Sequence, residues 1–220
     1  SLSNFFPLKE IEFVPNPKFV PTFKKEEENY KEAAKILKES GADLLVLEML
    51  LDVDHSKILL NAALETGLPV WVGLSCCDSK FDNSVIGRNF RAEKEKSLIY
   101  DENKYRDQPK YLPEDKIILL EDIIKSLTSL GGDVYGIMHT WFQDSIGGLK
   151  ILKNNWKGPI MFYPEIHKFD TNTHKAIITM SEEEFSNSIL ELIDDQIQIV
   201  GGCCGVNDKH LKRLIQSISE

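Results

Sequence analysis

Residues 41–77 read GADLLVLEMLLDVDHSKILLNAALETGLPVWVGLSCC, and this stretch decides the predicted fold. The near-continuous apolar runs at 43–49 and 69–76 are typical of strands that are covered on both faces. The segment between them, 54–66, has the length and apolar spacing of a helix. A buried strand, a helix and a second buried strand together predict a parallel βαβ unit.

The same alternation of helix and strand continues on both sides of this unit. A helix is predicted from residue 23 to Gly41, because glycine is common just after a helix end. Another helix is predicted from Ser181, where Glu184 can complete a capping box. Further strands are predicted near residues 134–140, 159–165 and 197–203. The chain therefore belongs to the α/β class.

Polar side chains follow the predicted strands, at the points where those strands end. They are Glu48, Ser75, Cys76, Cys77, His139, Tyr163, Glu165, Cys203 and Cys204. In barrels and in open α/β sheets alike, reactive groups collect at the carboxyl ends of the strands. The five strand ends therefore predict one shared site.

The overall composition argues against several functional classes. The 220 residues are 42% hydrophobic and 28% charged, as expected for one soluble globular domain. The net charge is −9 and the basic residues are not clustered, which argues against a nucleic-acid partner or an anionic membrane surface. No run approaches the ~20 apolar residues that cross a bilayer. The first residues also lack the pattern of a secretory signal.

The four cysteines occur as two adjacent pairs, at 76–77 and 203–204. Neighbouring cysteines rarely bond to each other, because the geometry is strained. A chain of this size with a strong apolar pattern also needs no disulfides. We therefore expect a reduced, cytoplasmic protein whose thiols are free to bind metal or to react.

Two segments lack a regular apolar pattern. Residues 4–22 are rich in Pro and Phe and are predicted to form an extended arm. Residues 78–115 form a long polar stretch after the carboxyl end of a strand. Loops of this length in compact domains are usually functional or disordered. This one is predicted either to cover the site or reach a neighbouring subunit, or to be a solvated insertion.

Residues 199–205, IVGGCCG, carry the strongest functional signal. The two glycines allow the backbone to turn sharply after the strand and to approach a ligand closely. The thiols of Cys203 and Cys204 are then suited to zinc, which favours soft thiolates and keeps them deprotonated. The alternative is that both cysteines are small buried apolar residues. A Gly-Gly-Cys-Cys-Gly run at a strand end favours the metal interpretation.

The GGCCG run and the VNDKHLKRL that follows Gly205 resemble the closing strand and helix of the homocysteine S-methyltransferase family, which includes betaine- and S-methylmethionine-dependent enzymes. Further stretches that resemble this family are GADLLVLEM at 41–49, LPVWVGLSC at 68–76 and MFYPEIHKFD at 161–170. The resemblance covers about residues 30–218. It implies a (β/α)8 barrel of the TIM type. This chain, a single domain over 1–220, would supply about five to six of the βα units.

The resemblance also implies a zinc centre. The family holds zinc with three thiolates, two from the GGCC run and one from the end of another strand. The corresponding stretch here is YGIMHT, which places His139 at the third position. Imidazole is a competent zinc ligand, so His139, Cys203 and Cys204 are predicted to bind zinc and to leave a fourth position open. The alternative is that His139 is a hydrogen-bonded strand-end residue and that the metal has been lost.

The activity implied by the resemblance is transfer of a methyl group from a sulfonium, betaine or similar donor to homocysteine, which gives methionine. Catalysis would rest on the metal-activated substrate thiol, without a further catalytic side chain. Glu48 resembles the residue that holds the amino group of homocysteine, and a structural hydrogen bond is an equal alternative. Tyr163 is predicted to line the site or approach the metal, or else to be a packed aromatic.

The remaining candidates are assigned to packing or to the surface. Cys76 and Cys77 have no evident ligand partners and are interpreted as packing residues. Trp141 is interpreted as shaping the donor pocket or as capping the barrel. The histidines interpreted as surface residues are His55, His167 and His174.

Two departures from the family leave other outcomes open. His139 and the altered Tyr-Pro segment also fit a non-catalytic or metal-free relative that serves as an assembly or regulatory subunit. Segments typical of the first two strands of the family are not found, and SLSN at 1–4 resembles the end of its third strand. We therefore expect an N-terminal barrel fragment or partner chain of roughly one hundred residues to complete the barrel. An oligomer is compatible with this expectation.

Overall fold

The computed structural model describes residues 1–4, 18–89, 92–94, 98–99, 117–170 and 173–219. Its main element is a parallel sheet of six strands. In order across the sheet, these are β1 (Leu2–Ser3), β2 (Leu45–Leu50), β3 (Val70–Leu74), β7 (Val134–Trp141), β8 (Ile160–Glu165) and β11 (Ile197–Val200). Spatial order follows chain order, so the sheet winds in one direction, as in a barrel, without the reversal of a doubly wound sheet.

Helices connect the strands of this sheet, and short strands extend two of its loops. The helices are α1 (Phe23–Glu39), α2 (Asp54–Leu64), α3 (Leu120–Thr128), α4 (Phe142–Asn155), α5 (Glu182–Leu190) and α6 (Asp208–Ser219). The short strands are β4 (Cys76–Asp78), β5 (Val85–Gly87), β6 (Leu98–Ile99), β9 (His167–Asp170) and β10 (Lys175–Ile178). β4 pairs with β5, and β9 lies between β10 and β6.

The helix boundaries follow the capping signals in the sequence. The Thr22 side chain accepts a hydrogen bond from the Lys25 amide at the start of α1, and Gly41 has a φ of 88° just after its end. Ser181 and Glu184 form the predicted capping box at the start of α5. The predictions for both helices, and for all five longer strands, are confirmed.

The two faces of the sheet are packed differently. On the outer face, alternate strand residues such as Leu47, Val72 and Phe162 join helix residues in one large core. On the inner face, Val134, Met138 and Met161 form a smaller cluster, against which lie the half-buried side chains of Val46, Trp71, Tyr163 and Ile199. A strand buried on both faces explains the continuous apolar runs in the sequence.

Glycines make the inner cluster possible. A Cβ atom at Gly73 would lie 2.5 Å from the Met138 sulfur, and one at Gly136 would lie 2.1 Å from Cγ of Met161. Two methionines therefore fill space that glycine leaves on neighbouring strands.

The segment predicted as an irregular polar stretch, 78–115, begins as ordered structure. The β4–β5 hairpin buries Ile86 completely, and Arg88 just after it is 7% exposed. The prediction of a solvated insertion is therefore wrong for this part, and much of the remainder lies outside the described residues. The predicted extended arm also lies largely outside them, since residues 5–17 are not described.

Candidate metal centre

Three side chains converge at the carboxyl ends of β7 and β11. The Sγ atom of Cys203 lies 3.5 Å from Nδ1 of His139, and the Sγ atom of Cys204 lies 3.7 Å from the same nitrogen. The two sulfur atoms are 3.9 Å apart. Cys203 is half-buried and Cys204 is exposed. The structure thus brings together all three residues that the sequence predicts as metal ligands.

These separations test whether zinc fits between the three atoms. Tetrahedral zinc, with bonds of about 2.3 Å to sulfur and about 2.0–2.1 Å to nitrogen, requires about 3.8 Å between two sulfurs and about 3.6 Å between sulfur and nitrogen. The distances in this chain are 3.9 Å for the sulfur pair and 3.5 Å and 3.7 Å for the mixed pairs. The donor atoms are therefore already spaced for a tetrahedral ion, with one position left open.

His139 reaches this position through an unusual backbone conformation. Its φ of 47° lies in the left-handed region, and the pairing of β7 with β8 shifts register between Met138 and Trp141. Non-glycine residues adopt this conformation at a cost and cluster at functional sites. The Arg88 guanidinium donates a hydrogen bond of 2.5 Å to the His139 carbonyl, which holds the strained segment.

The cysteine loop is fixed by hydrogen bonds to the end of β8. The Cys203 amide donates to the Pro164 carbonyl at 3.0 Å, and the Ile166 amide donates to the Cys204 carbonyl at 2.9 Å. A Cβ atom at Gly201 would lie 2.7 Å from the Tyr163 ring, so glycine is needed there for close approach. Backbone hydrogen bonds therefore position the loop that carries both thiols.

The electrostatics of the two thiols differ although they are adjacent. The Cys203 thiol donates a hydrogen bond to the Cys204 sulfur, and this bond together with His139 lowers the pKa of Cys204 to about 4. The same hydrogen bond, followed by burial, raises the pKa of Cys203. These shifts favour the thiolate form of Cys204 and the thiol form of Cys203, and a metal ion bound to both sulfurs would displace the remaining proton.

A cluster of buried charged side chains lies next to His139. The Arg88 guanidinium lies 2.8 Å from Oε1 of Glu165 and 3.5 Å from Oε1 of Glu93. Oε2 of Glu165 lies 3.5 Å from Nδ1 of His139. Glu165 is completely buried, and Glu93 and Arg88 are 3% and 7% exposed. Buried charges require such pairing, so this cluster fixes Glu165 beside the ligands.

The sequence did not indicate the buried positions of Arg88 and Glu93 or the position of His167 beside the site. Arg88 follows SVIG, a short apolar run inside a polar stretch, and that run was the available signal for a buried hairpin. The interpretation of His167 as a surface residue is wrong. His167 begins β9 two residues after Glu165, and its Nδ1 atom is buried. The spacing of two residues along an extended chain places both side chains on one face.

Glu48 and Tyr163 both lie at strand ends, as predicted. Glu48 is half-buried in β2, where the pairing with β3 shifts register between Leu47 and Leu50. Within the described part of the chain its carboxylate makes no hydrogen bond or ion pair, and both roles considered for Glu48 stay predictions. Burial raises the pKa of the half-buried Tyr163 hydroxyl, whose ring packs against Gly201.

The other candidates take mostly structural positions. Cys76 and Cys77 are 1% and 0% exposed, in agreement with their interpretation as packing residues. His55 lies 2.7 Å from the buried Glu26 carboxylate, so its assignment to the surface is wrong, whereas His174 is exposed. The Lys168 ammonium lies 4.9 Å above the ring of Trp141.

Across the residues that the structure describes, no helix combines the length and the apolar character needed to cross a membrane.

Comparison with known proteins gives one family match. The model of the family described as homocysteine S-methyltransferase matches residues 9–97 and 119–218. A comparison with curated proteins finds no match.

Solved structures give a fold likeness. The metallated form of the homocysteine methyltransferase MmuM from Escherichia coli has a TM-score of 0.61 and 13% identity, with 95% of this chain and 56% of that chain covered. The apo form has a TM-score of 0.59 and 13% identity, with 92% and 61% covered. This chain thus spans less than two thirds of the length of either structure. At this identity the likeness shows the fold, and the prediction of a barrel-type chain that supplies part of the βα units is confirmed.

Proposed function

Because the chain belongs to the homocysteine S-methyltransferase family, we propose that it carries the metal centre of a zinc-dependent enzyme that transfers a methyl group to a thiol. The proposed acceptor is homocysteine, with methionine as the product, and the proposed donor is a sulfonium, a betaine or a similar compound. The observation that carries the proposal is the spacing of the donor atoms of His139, Cys203 and Cys204, which fits tetrahedral zinc with an open fourth position.

Zinc at this position would lower the pKa of the acceptor thiol and so supply a thiolate near neutral pH. In the methyl transfer itself, a new bond forms between the acceptor sulfur and the methyl carbon while the bond from that carbon to the donor breaks. The electron pair of that broken bond leaves with the donor. A neutral imidazole in place of a third thiolate makes the ligand set one unit less negative. We expect an acceptor that ionises more readily and attacks more slowly than with three thiolates.

The chain's own residues would bind and orient the acceptor. The Glu48 carboxylate, half-buried and without a hydrogen-bond partner among the described side chains, is proposed to bind the ammonium group of homocysteine. Tyr163 would line the site beside the cysteine loop, where its ring contacts Gly201. Arg88 is proposed as a positioning residue, because it donates a hydrogen bond to the His139 carbonyl and is itself held by the Glu165 carboxylate.

Metal content tests the proposal directly. Full-length protein, purified under reducing conditions, should contain zinc by elemental analysis. The variant Cys204→Ala should lose it, and His139→Ala should bind less. The variant His139→Cys should retain zinc and restore three thiolates. His174→Ala serves as the control, because that histidine is exposed. Undiminished zinc in His139→Ala would show that His139 is not a ligand. Zinc-free wild-type protein would support the alternative of a non-catalytic assembly or regulatory subunit.

The methyl donor requires a separate assay. A screen of sulfonium and betaine donors with homocysteine, which follows methionine formation, is expected to give product with one donor class. If protein that contains zinc forms no methionine with any donor, this result would contradict the proposed catalysis but not the proposed metal centre.

We also propose that further strands complete the barrel, from an N-terminal fragment or a partner chain. In the described sheet, β1 and β11 each pair with one neighbour only, and unpaired strand edges promote association. The inner face also leaves Trp71 and Ile199 half-buried. Native mass spectrometry should show this chain bound to further polypeptide. A lone 25.1 kDa monomer that unfolds cooperatively would contradict this proposal.

A further inference from the structure

A second set of potential ligands lies next to the first. The carboxylate of Glu165, a ring nitrogen of His167 and the sulfur of Cys204 lie within 4.8 Å of one another. This set has only Cys204 in common with the set formed by His139, Cys203 and Cys204. The methyl transfer proposed above assigns no role to His167.

We propose that Glu165, His167 and Cys204 form a second divalent-metal position, joined to the first by the shared sulfur of Cys204. Carboxylate, imidazole and thiolate are all ligands that zinc accepts, and sites with two neighbouring metal ions are an established arrangement in metalloenzymes. The proposal goes beyond the single zinc ion described above, and it does not require that the chain be a methyltransferase.

Two unsatisfied buried atoms point to a ligand at this position. Nδ1 of His167 is buried and has no hydrogen-bond partner among the described residues. Oε2 of the completely buried Glu165 likewise accepts no hydrogen bond there, and Nδ1 of His139 lies 3.5 Å from it. Buried polar atoms in native proteins almost always have a partner, so two such atoms side by side point to a bound ion. A cation would satisfy both atoms at once.

The backbone holds the three ligands in place without a metal. Glu165 ends β8 and His167 begins β9, so their side chains lie on one face of an extended segment. Ile166, between them, donates its amide to the Cys204 carbonyl at 2.9 Å and accepts a hydrogen bond from the Thr179 amide at 2.8 Å. Gly205 makes room for this arrangement, because a Cβ atom there would lie 3.1 Å from Cβ of His167.

The number of metal ions bound per chain tests whether the second position exists. Metal-free, reduced full-length protein is titrated with Co²⁺, which reports tetrahedral sites and thiolate ligation by its absorption, and bound Zn²⁺ is counted by elemental analysis in parallel. Wild-type protein should bind two equivalents, and His167→Ala and His139→Ala one each. The control His174→Ala, in the same β9–β10 region, should bind two. Circular dichroism should show that every variant is folded.

The outcomes separate this inference from the single zinc centre. One equivalent in wild-type protein, lost in His139→Ala and retained in His167→Ala, would overturn the second position and leave the first intact. Two equivalents in His167→Ala would also overturn it. One equivalent that depends on His167 but not on His139 would support the position at Glu165 and His167 and overturn the first set.

Discussion

Two pairs of adjacent cysteines follow strands of the same sheet, and the structure gives them opposite environments. Cys76 and Cys77 are 1% and 0% exposed, whereas Cys203 is half-buried and Cys204 is exposed. Burial raises the pKa of the Cys76 thiol to about 12. The hydrogen bond from Cys203, together with His139, lowers the pKa of Cys204 to about 4. The same dipeptide is thus part of the core in one place and part of the proposed metal centre in the other.

The elements that follow each strand cause the difference. After β3 the chain continues directly into the β4–β5 hairpin, and the Cys76 amide donates to the Thr140 hydroxyl, so the first pair is covered. After β11 Gly201 lets the loop lie close to the Tyr163 ring, and the second pair lies beside His139. The comparison teaches that the residues around a cysteine pair, more than the pair itself, decide its chemistry.

The largest expected effect is on metal binding. The double variant Cys203→Ala/Cys204→Ala should reduce bound zinc to background, because two of the three proposed ligands are removed. The double variant Cys76→Ala/Cys77→Ala should retain zinc at the wild-type level while it remains folded. Elemental analysis of both proteins measures the contrast. Equal zinc loss in the two variants would mean that the pairs do not differ as described.

A smaller effect is expected in thiol reactivity. In metal-free protein at pH 7, iodoacetamide should modify the pair at 203–204 at least about tenfold faster than the pair at 76–77. The lowered pKa of Cys204 keeps it a thiolate down to about pH 4, whereas Cys76 stays protonated until about pH 12. Peptide mass spectrometry over time gives both rates. Comparable rates in folded protein would contradict the assigned environments.

The smallest effect concerns stability at alkaline pH. The folded pKa of Cys76 is about 12, above the ordinary value of 9.0, so the folded chain binds a proton that the unfolded chain releases. Stability from this group is complete below pH 9 and is lost as the pH rises toward 12, by up to about 1.4 kcal/mol per pH unit. Urea unfolding at pH 8, 9 and 10 should therefore show a shallower decline for Cys76→Ala than for wild-type protein. The control His174→Ala, at an exposed position, should keep the wild-type slope, and an unchanged slope in Cys76→Ala would oppose the prediction.

The sequence predicts the parts of this molecule that depend on local pattern. The strands around Leu47 and Phe162 are buried on both faces, so their continuous apolar runs predict them. The capping box of Ser181 and Glu184 depends only on residues that are close in sequence, so it is predicted as well. The ligand set of His139, Cys203 and Cys204 was predicted from the order of strand ends and from family resemblance, and the distances support it.

The parts that could not be predicted depend on contacts between distant segments. Arg88 lies in a polar stretch, and its position follows from partners at His139 and Glu165, which are remote in sequence. His167 lies in a segment that was interpreted as surface, because the pairing of Ile166 with the Cys204 loop is not visible in a one-dimensional pattern. The left-handed conformation of His139 is likewise a product of the register shift between β7 and β8.

The separation of the ligands along the chain has a consequence for folding kinetics. His139 and Cys203 are 64 residues apart, so their approach requires the intervening α4, β8 and α5 to be in place. Contacts between neighbouring βα units close much shorter loops and form sooner. We therefore expect these three side chains to meet after the sheet has assembled, so that the proposed zinc ion would bind a chain that is already folded. Zinc should slow unfolding and leave the folding rate unchanged, as expected for an interaction absent from the transition state.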